Sequence, residues 1–368
     1  MNVCHIKVGE FLSPTETFVY RRVCDRELEQ SVLALKRANA QKYPLPPSVR
    51  FHALSETSRL QQWINSRWLN HRGQSPWITK NIVSSRPDVV HAHFGAAGWA
   101  ALPACEKKRI PLIVTLYGSD FHTVYKKDPT WRQRTDILFQ KADFVSVISD
   151  FMIKEVQNAG CDPKKLVKIR CGIDLQELLF SSKELLNGEP LRILCVARLH
   201  PVKRIDTLLK ACKILYRQKR AFELRIVGDG PLREELKATT SELGIADSVH
   251  FLLDTPRSET VANLVWSRVL VLCSEMESQG IVLQEAQATG SAVIGTNTGA
   301  IPESLVEGIT GFLVPVGDSA ALASALQQFI DDPQLIGKMG REGRKFVEEG
   351  FNVESERAQL RELYERAR

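Results

Sequence analysis

The sequence lacks the features of membrane-spanning, secreted and disordered chains. It has no run of about 18 uninterrupted apolar residues, which a membrane-spanning helix needs, and residues 1–9 show no cleavable signal pattern. It also has no low-complexity tract and no internal repeat. Charged residues make up 25% of the 368 and hydrophobic residues 43%, as in ordinary globular proteins. We therefore expect a cytoplasmic protein, and about 150 residues per domain predicts two domains.

Closely spaced cysteine pairs are missing as well. None of the eight cysteines forms a CxxC motif, and several, such as Cys195 and Cys273, stand in apolar strand-like runs. Free thiols buried in a reducing compartment explain this pattern most simply. We expect neither a metal site nor a catalytic role from cysteine.

Charge is present in both signs but is unevenly distributed. The chain has 49 basic and 43 acidic residues, a net charge of +6. Residues 1–175 hold 26 basic and 16 acidic residues, a net +10, so the remainder carries −4. A basic half can meet an anionic membrane, a nucleic acid or a negatively charged substrate. Nucleic acid ranks low, because these lysines and arginines are dispersed rather than interleaved with aromatic residues.

Apolar strand-like runs alternate with helical patterns in two series. The first series comprises 3–8, 89–94, 111–116 and 144–148, and the second comprises 191–197, 222–227, 249–252, 269–273, 292–296 and 311–314. Continuous apolar strands between helices predict parallel sheets covered on both faces. A polar stretch near 175–190 separates the series, so we predict an α/β protein with two doubly wound, Rossmann-like domains. Ligands should bind at the carboxyl ends of the strands.

The strongest local motif follows the strand at 269–273. A polar turn with Glu277 leads to a helix predicted to start near Gly280, with Glu285 in its second turn. The backbone N–H groups at this helix start favour a phosphate or a sugar hydroxyl. Eight residues of helix span about 12 Å, too far for the roughly 5–9.5 Å between the two carboxylates of a glycosidase. The two glutamates either bind hydroxyls at opposite ends of one ligand, or Glu277 caps the helix and Glu285 is solvated.

Two further loops end strands of the second series. Arg198 and Lys203 flank a tight turn and could neutralise a pyrophosphate, or could be ordinary surface cations. Gly228 and Gly230 allow close approach of the backbone to a ligand. A GxGxxG dinucleotide fingerprint is excluded because Arg233 stands at its third glycine position, which disfavours a hydride-transferring enzyme.

Loops of the first series offer weaker candidates. Ser13 and Glu16, with Pro14 between them, have the spacing of a helix capping box. His91 and His93 share one strand face and could bind a metal, but no third ligand is spaced nearby, so we favour His93 facing a polar ligand or a buried histidine.

Together these loops resemble the retaining glycosyltransferases of family four, which have the GT-B architecture. The resemblance covers nearly the whole chain and rests on motifs in order: Arg170–Asp174, Arg198–Lys203, Gly228–Pro231, the E-x7-E element Glu277–Glu285, Asn297–Glu303 and Glu307–Val314. Residues 14–18 and 91–95 look most like the branch that builds exopolysaccharides and colanic-acid-type polymers. The first half would then be an acceptor domain, residues 1–175, joined by a C-terminal helix at 352–368. Residues 190–351 would be the nucleotide-sugar donor domain.

The family implies a role for each matching residue. Arg198 and Lys203 would hold the diphosphate of a UDP- or GDP-sugar, Glu277 the transferred sugar, Glu285 the ribose, and His93 would lie near the sugar or acceptor. The further donor-binding residues implied are Gly228, Gly230, Thr255 (in the base-binding stretch 251–255), Ser278, Gln279, Gly280, Ile281 and Val282. The acceptor-side loop residues implied are Glu16, Thr17, Tyr117 and Asp120. No metal or other cofactor is implied, since cations and a helix N-terminus take its place.

Two departures from the family pattern concern the first domain. Residues 14–17 replace the glycine pair common in the first loop, and Tyr117 stands where a histidine is common, which leaves the transferred sugar open. Retention by front-face substitution is expected, with the departing phosphate taking the acceptor's proton. A sugar-nucleotide epimerase and a non-catalytic nucleotide-sugar-binding subunit are the alternatives.

A stripe of aromatic and cationic residues in the basic half suggests a second property. One helical stripe holds Trp63, Ile64, Arg67, Trp68, His71 and Arg72, so this half could contact the inner face of a membrane peripherally. The opposing interpretation is that the two tryptophans belong to the core. The expected partners are thus a nucleotide sugar and a glycan, lipid-linked or small-molecule acceptor, and no nucleic acid.

Overall fold

The computed structural model describes residues 1–12, 16–41, 43–186, 188–253 and 255–368, which form two compact units. Unit 1 comprises residues 1–172 and 354–368, and unit 2 comprises residues 173–353. The chain leaves unit 1 after Gly172, so the polar stretch near 175–190 belongs to unit 2. Within that stretch Leu178 is buried, and the ammonium of buried Lys183 donates to the carbonyl oxygen of Leu264 at 2.6 Å.

A parallel sheet forms the centre of unit 1. In the described ranges it has seven strands in the order β3-β2-β1-β4-β5-β6-β7. They are β1 (Asn2–Phe11), β2 (Glu29–Arg37), β3 (Val49–Ala53), β4 (Val89–His93), β5 (Leu112–Leu116), β6 (Phe144–Val147) and β7 (Leu166–Lys168). The chain order reverses between β1 and β4, and at such a switch point the loops diverge and leave room for a ligand.

Helices cover the sheet of unit 1. They are α1 (Thr17–Val23), α2 (Arg59–Arg72), α3 (Pro76–Ser85), α4 (Gly95–Lys108), α5 (Pro129–Lys141) and α6 (Asp150–Asn158). Local chemistry sets where several of them begin: the side chains of Ser58, Ser75, Asp128 and Ser149 accept backbone N–H groups of the first turns of α2, α3, α5 and α6. Pro76 and Pro129 occupy the first helical position, where no N–H is needed.

Another parallel sheet forms the centre of unit 2. Over the described residues its order is β10-β9-β8-β11-β12-β13. Its strands are β8 (Leu191–Val196), β9 (Phe222–Val227), β10 (Val249–Leu252), β11 (Val269–Leu272), β12 (Ala292–Thr296) and β13 (Gly311–Val314). Its helices are α7 (Ile205–Arg217), α8 (Arg233–Glu242), α9 (Arg257–Trp266), α10 (Ile281–Ala288), α11 (Ser319–Asp331) and α12 (Gln334–Gly350). The switch point of this sheet lies between β8 and β11.

The last helix, α13 (Val353–Ala367), packs on unit 1 from Glu354 onward. Leu360, Leu363 and Tyr364 are buried in one cluster with Val3 and Ile113 of the first sheet. Their spacing in the sequence puts these three residues on one face of the helix, as in an amphipathic helix. No helix within the described ranges is both long and apolar enough to cross a bilayer.

Candidate active site

Lys203 and Glu277 meet at the switch point of unit 2. The loops after β8 and β11 carry them, and the ammonium nitrogen lies 2.5 Å from Glu277 Oε1. The hydroxyl of Ser274 donates to the same carboxylate oxygen at 2.7 Å. Both charged side chains keep part of their surface exposed, so the pair can exchange partners with a charged ligand. The structure therefore brings together two residues that are 74 positions apart in sequence.

Arg198 lies exposed in the loop that carries Lys203. This loop is fixed by the neighbouring loop after β9, since Leu199 donates its N–H to Asp229 O at 2.9 Å. A Cβ at Gly228 would lie 2.1 Å from the carbonyl oxygen of Ala197, and one at Gly230 would lie 2.4 Å from that of Leu199. The two glycines are thus required for the packing of one loop on the other. The close approach of a ligand that the sequence suggests there stays a prediction.

The loop with Glu277 ends at a left-handed glycine, Gly280, with φ of +74°. Helix α10 starts at the next residue, so the N–H groups of Ile281 and Val282 belong to its first turn, where helical geometry supplies no acceptor. Gln279 is buried and Ser278 is half-buried beside this turn. The start of α10 agrees with the sequence prediction to within one residue.

The loop after β12 holds the Glu277 loop in place through hydrogen bonds to its backbone. Ala300 donates its N–H to Glu277 O at 2.9 Å, and the hydroxyl of Thr298 donates to Glu275 O at 2.9 Å. Gly299 has φ of +54°, and a Cβ there would lie 2.5 Å from Glu277 O. In the sequence the motif at 297–303 was recognised only by its resemblance to the family. In the structure this loop holds the backbone of Glu277 in place.

Glu285 faces Arg257 at the start of helix α9. Arg257 Nη2 lies 2.8 Å from Glu285 Oε1, and its Nε and Nη2 each donate at 2.9 Å to Glu177. Burial lowers the pKa of Arg257, but the carboxylates of Glu285 and Glu177 outweigh burial and raise it above its ordinary value. Sequence reasoning missed Arg257, although an arginine in the first turn of a helix is disfavoured by the helix dipole and indicates an acidic partner.

Thr255 is half-buried, and its hydroxyl donates to Leu252 O at 3.0 Å. It lies between β10 and α9, in the stretch 251–255 expected to contact a base. Asp254 of that stretch is outside the described residues.

Three buried histidines lie at the switch point of unit 1. Strand pairing places His5 of β1 opposite His91 of β4, and His93 follows two residues later on the same face. Burial lowers the pKa of His5 to about 4, and burial also lowers the pKa values of His91 and His93 well below the usual range. All three rings are therefore neutral near pH 7.

The protons on His5 and His93 follow from their partners. The amide of Gln30 donates to Asp25 O at 2.7 Å, so its oxygen accepts from His5 Nε2 at 2.8 Å. Neutral His5 then accepts at Nδ1 from His93 Nε2, 3.1 Å away, which leaves His93 Nδ1 to accept from the Tyr117 hydroxyl at 2.7 Å. Both nitrogens of His93 are committed to protein side chains.

This hydrogen-bonded chain begins at Arg22. The buried guanidinium donates from Nη1 to the Tyr117 oxygen at 3.1 Å and from Nε to Glu356 Oε1 of α13 at 2.5 Å. The other oxygen of Glu356 accepts the N–H of Gly172 at 2.7 Å. Helix α13 is thus connected to His93 through two buried side chains. Sequence reasoning did not find Arg22 or Glu356, since 334 positions separate them.

The same histidines form a group of the kind that holds a transition metal. Ligand atoms of His5, His91 and His93 lie within 4.8 Å of one another, so the sheet supplies the third histidine that sequence spacing could not show. However, His91 bonds Tyr364 and Thr115, at 2.7 Å each, and the other two rings are engaged as described. The charge of Arg22 also acts on all three rings. A cation would have to break these bonds, so the residues fit a hydrogen-bonded network better than a metal centre.

Asp120 is held by backbone rather than by side chains. Its carboxylate accepts the N–H groups of Gly95, Tyr117 and Gly118 at 3.0–3.1 Å. Burial raises the pKa of Asp120 to about 6, against the lowering effect of these three bonds. The carboxylate thus closes the loop after β5 onto the first turn of α4.

Glu16 lies directly before α1, which begins at Thr17. Its carboxylate pairs with Lys7 at 3.1 Å instead of capping the helix. The expected capping box would put Glu16 at the third helical position, but Glu16 precedes the helix, so that expectation is wrong for α1. The other members of the box, Ser13 and Pro14, are outside the described residues.

The chain is similar to known proteins over both units. The family profile described as Glycosyltransferase Family 4 matches residues 21–177, and that described as Glycosyl transferases group 1 matches residues 178–346. A colanic acid biosynthesis glycosyltransferase, WcaL of Salmonella typhimurium, is 32% identical over 75% of this chain and 70% of its own length. WcaL of Escherichia coli is 28% identical over 94% of this chain and 96% of its own length. The structure of Anabaena HepE with UDP-glucose superposes with a TM-score of 0.80 at 18% identity, covering 99% of each chain.

Proposed function

Because the chain belongs to glycosyltransferase family four, we propose that it transfers a sugar from a UDP- or GDP-sugar to an acceptor with retention of the anomeric configuration. The family resemblance drawn from the motifs is confirmed, and so is the α/β fold of two doubly wound parallel sheets. The observation that carries the proposal is the placing of Lys203, Glu277 and Glu285 around the start of α10 in unit 2.

The donor would bind along this edge of unit 2. Arg198 and Lys203 supply positive charge that attracts a diphosphate. This attraction strengthens as the phosphate departs and gains negative charge. The N–H groups at the start of α10 and the carboxylate of Glu277 supply donors and acceptors for the transferred sugar. Glu285 accepts hydrogen bonds from two adjacent ribose hydroxyls. HepE is named as a complex with UDP-glucose, which supports a donor of this class.

The proposed reaction needs no protein nucleophile. The acceptor oxygen forms a bond to the anomeric carbon on the face from which the phosphate leaves, and the acceptor's proton passes to a phosphate oxygen. Asp120, the carboxylate in the edge loop of unit 1, is tied to three backbone N–H groups and is a poor candidate for attack on the sugar. His93 is neutral with both nitrogens engaged, so we assign it a positioning role with Tyr117 rather than proton transfer.

The acceptor would lie on unit 1 and be a glycan, a lipid-linked molecule or a small molecule. We expect it to be anionic, lipid-linked or held at a membrane. The net charge of +10 in residues 1–175 favours an anionic acceptor or surface. WcaL is named for colanic acid biosynthesis, which supports polysaccharide assembly as the setting.

A direct assay tests the proposal. The purified protein is incubated with UDP- and GDP-sugars and candidate saccharide acceptors, with and without EDTA, and the product is examined by proton NMR. We expect an α-linked product from an α-linked donor, undiminished by EDTA. An inverted product would overturn the retaining mechanism, whereas turnover to a free epimerised sugar without acceptor would show an epimerase.

A further inference from the structure

Helix α2 is attached to unit 1 through polar side chains. Asn65 is only 4% exposed, and its Oδ1 accepts from the hydroxyl of Ser75 at 2.7 Å and from the N–H of Trp77 at 2.9 Å. The amide of Gln62 donates to Thr57 O at 2.8 Å on the same side of the helix. Contacts of this kind fix the helix in place while its two tryptophans stay exposed.

Three of the five large apolar residues of α2 point to water, whereas Ile64 and Leu69 are half-buried. Leu60 is 66% exposed, Trp63 58% and Trp68 38%. At about 100° per residue these three side chains fall within an arc of roughly 140°, centred opposite the face that contains Gln62 and Asn65. A surface helix ordinarily buries its apolar stripe and exposes its polar side. In this helix both tryptophans are exposed while Asn65 is buried, so the aromatic side is available to something outside unit 1.

The charge around the aromatic stripe indicates which kind of surface it contacts. Residues 57–87 contain no aspartate or glutamate but five basic residues, Arg59, Arg67, Arg72, Lys80 and Arg86. Arg67 lies 5.4 Å from the ring centre of Trp63, and Arg72 lies 4.6 Å from that of Trp68. Indole rings next to guanidinium groups are favoured at the boundary between acyl chains and anionic headgroups. There the ring enters the apolar layer and the guanidinium contacts phosphate.

The end of α2 is anchored firmly enough to present this stripe as one surface. The indole N–H of Trp99, on α4, donates to Arg72 O at 2.7 Å. Gly73 ends the helix in the left-handed region, with φ of +68° and its N–H bonded to Leu69 O at 2.8 Å.

We propose that the α2 stripe, Leu60, Trp63, Arg67, Trp68 and Arg72, docks unit 1 on an anionic lipid surface. Its use to the chain rests on the proposed transfer to a membrane-held acceptor. The binding itself is measured without donor or acceptor, so a failure of the docking and a failure of the sugar transfer are separate results.

The experiment is co-sedimentation of the full chain with phosphatidylcholine vesicles with and without phosphatidylglycerol. We expect binding only with phosphatidylglycerol, weakening as salt is added. Arg67→Gln with Arg72→Gln should lower the partition coefficient about thirtyfold, since each cation near such a surface contributes about 1 kcal/mol. Trp63→Ser with Trp68→Ser should lower it by roughly tenfold or more, because the apolar contact is lost.

Unit 2 offers a matched control. Tyr216 is 52% exposed on α7, with the ammonium of Lys213 5.2 Å from its ring centre, so Tyr216→Ser removes an exposed cation–aromatic pair of unit 2. It should bind vesicles as the wild type does. Absence of binding to phosphatidylglycerol vesicles at low salt would overturn the proposal, as would full binding by the double tryptophan variant. A dimer in light scattering that disappears with the same double variant, without vesicle binding, would assign the stripe to a second copy and also overturn it.

Discussion

Arg257 and Glu285 form an ion pair 2.8 Å long at the edge of unit 2, with most of the arginine and nearly all of the glutamate out of water. The arginine also holds Glu177, so one guanidinium fixes two carboxylates. In the proposed function Glu285 binds the ribose, and its orientation then depends on Arg257. Arg257 is thus a positioning residue for the donor.

Loss of Arg257 should weaken donor binding more than it slows the chemical step. Arg257→Ala leaves the Glu285 carboxylate without its buried partner, at a cost of about 1–3 kcal/mol. We expect the KM for the nucleotide sugar to rise about tenfold or more with kcat changed little, and Arg257→Lys to recover part of the loss. Steady-state kinetics with varied donor measure both quantities. Arg220→Ala, which breaks an exposed pair with Asp331 in the same unit, should leave both unchanged. A fall in kcat with an unchanged KM would contradict the positioning role.

Loss of Lys203 should act mainly on kcat. The ammonium that pairs with Glu277 here would stabilise the departing diphosphate, and removal of one such preorganised group costs about 100-fold to 1,000-fold in rate. Lys203→Ala is compared with Lys210→Ala, which removes an exposed partner of Asp206 on α7. Equal activity of the two variants would remove Lys203 from the reaction.

The stability of unit 1 should depend on its contact with α13. Glu356→Gln leaves the buried Arg22 guanidinium without its charged partner, which costs about 3–5 kcal/mol when a buried pair is broken on one side. We expect a lower midpoint in urea unfolding. Glu354→Gln, which removes an exposed pair with Arg357 on the same helix, should cost less than about 0.5 kcal/mol. Similar midpoints for the two variants would show that the Arg22–Glu356 pair does not hold α13.

Much of the fold could be predicted from the sequence because each of these strands is determined by the residues of its own segment. The runs at 222–227, 249–252, 292–296 and 311–314 are strands with those bounds, since short runs in which apolar residues are consecutive or alternate with single polar ones are typical of strands. The strands β2, β3 and β7 were not predicted. Their side chains are partly polar or exposed, so their patterns are less regular.

The candidate site could be predicted only in part, for a related reason. Lys203 and Glu277 follow strands and Glu285 lies in the second turn of the helix after Glu277, so all three were recognisable by position. His5 and Arg257 become part of their clusters only through pairing between distant segments, of β1 with β4 and of α9 with α10. Sequence spacing carries no record of such contacts.

Acid should destabilise unit 1 through its histidines. The pKa of folded His5 is about 4, and those of His91 and His93 are also lowered, whereas unfolded histidines titrate near 6.5. The unfolded chain therefore takes up protons first, and the free energy of unfolding should fall as the pH drops from about 6.5 towards about 4. Asp120 opposes this, because its folded pKa of about 6 lies above the usual 3.8 and its protonation favours the folded state over that range.

Urea unfolding at several pH values checks the titration. Tryptophan fluorescence reports mainly on unit 1, because the tryptophans at 63, 68, 77, 99 and 131 lie there and only Trp266 lies in unit 2. Asp120→Asn should steepen the loss of stability between pH 6 and 4, by up to about 1.4 kcal/mol per pH unit. A wild-type stability that does not change between pH 7 and 5 would contradict neutral buried histidines.

The most direct test of the central claim is calorimetric titration of UDP and GDP into the full chain and into Glu285→Ala. The claim that unit 2 holds a nucleotide diphosphate sugar predicts that one nucleotide binds the wild type and binds Glu285→Ala at least about tenfold more weakly. Glu234→Ala, an exposed carboxylate on α8, should bind as the wild type does. Binding of neither nucleotide, or equal binding by wild type and Glu285→Ala, would contradict the claim.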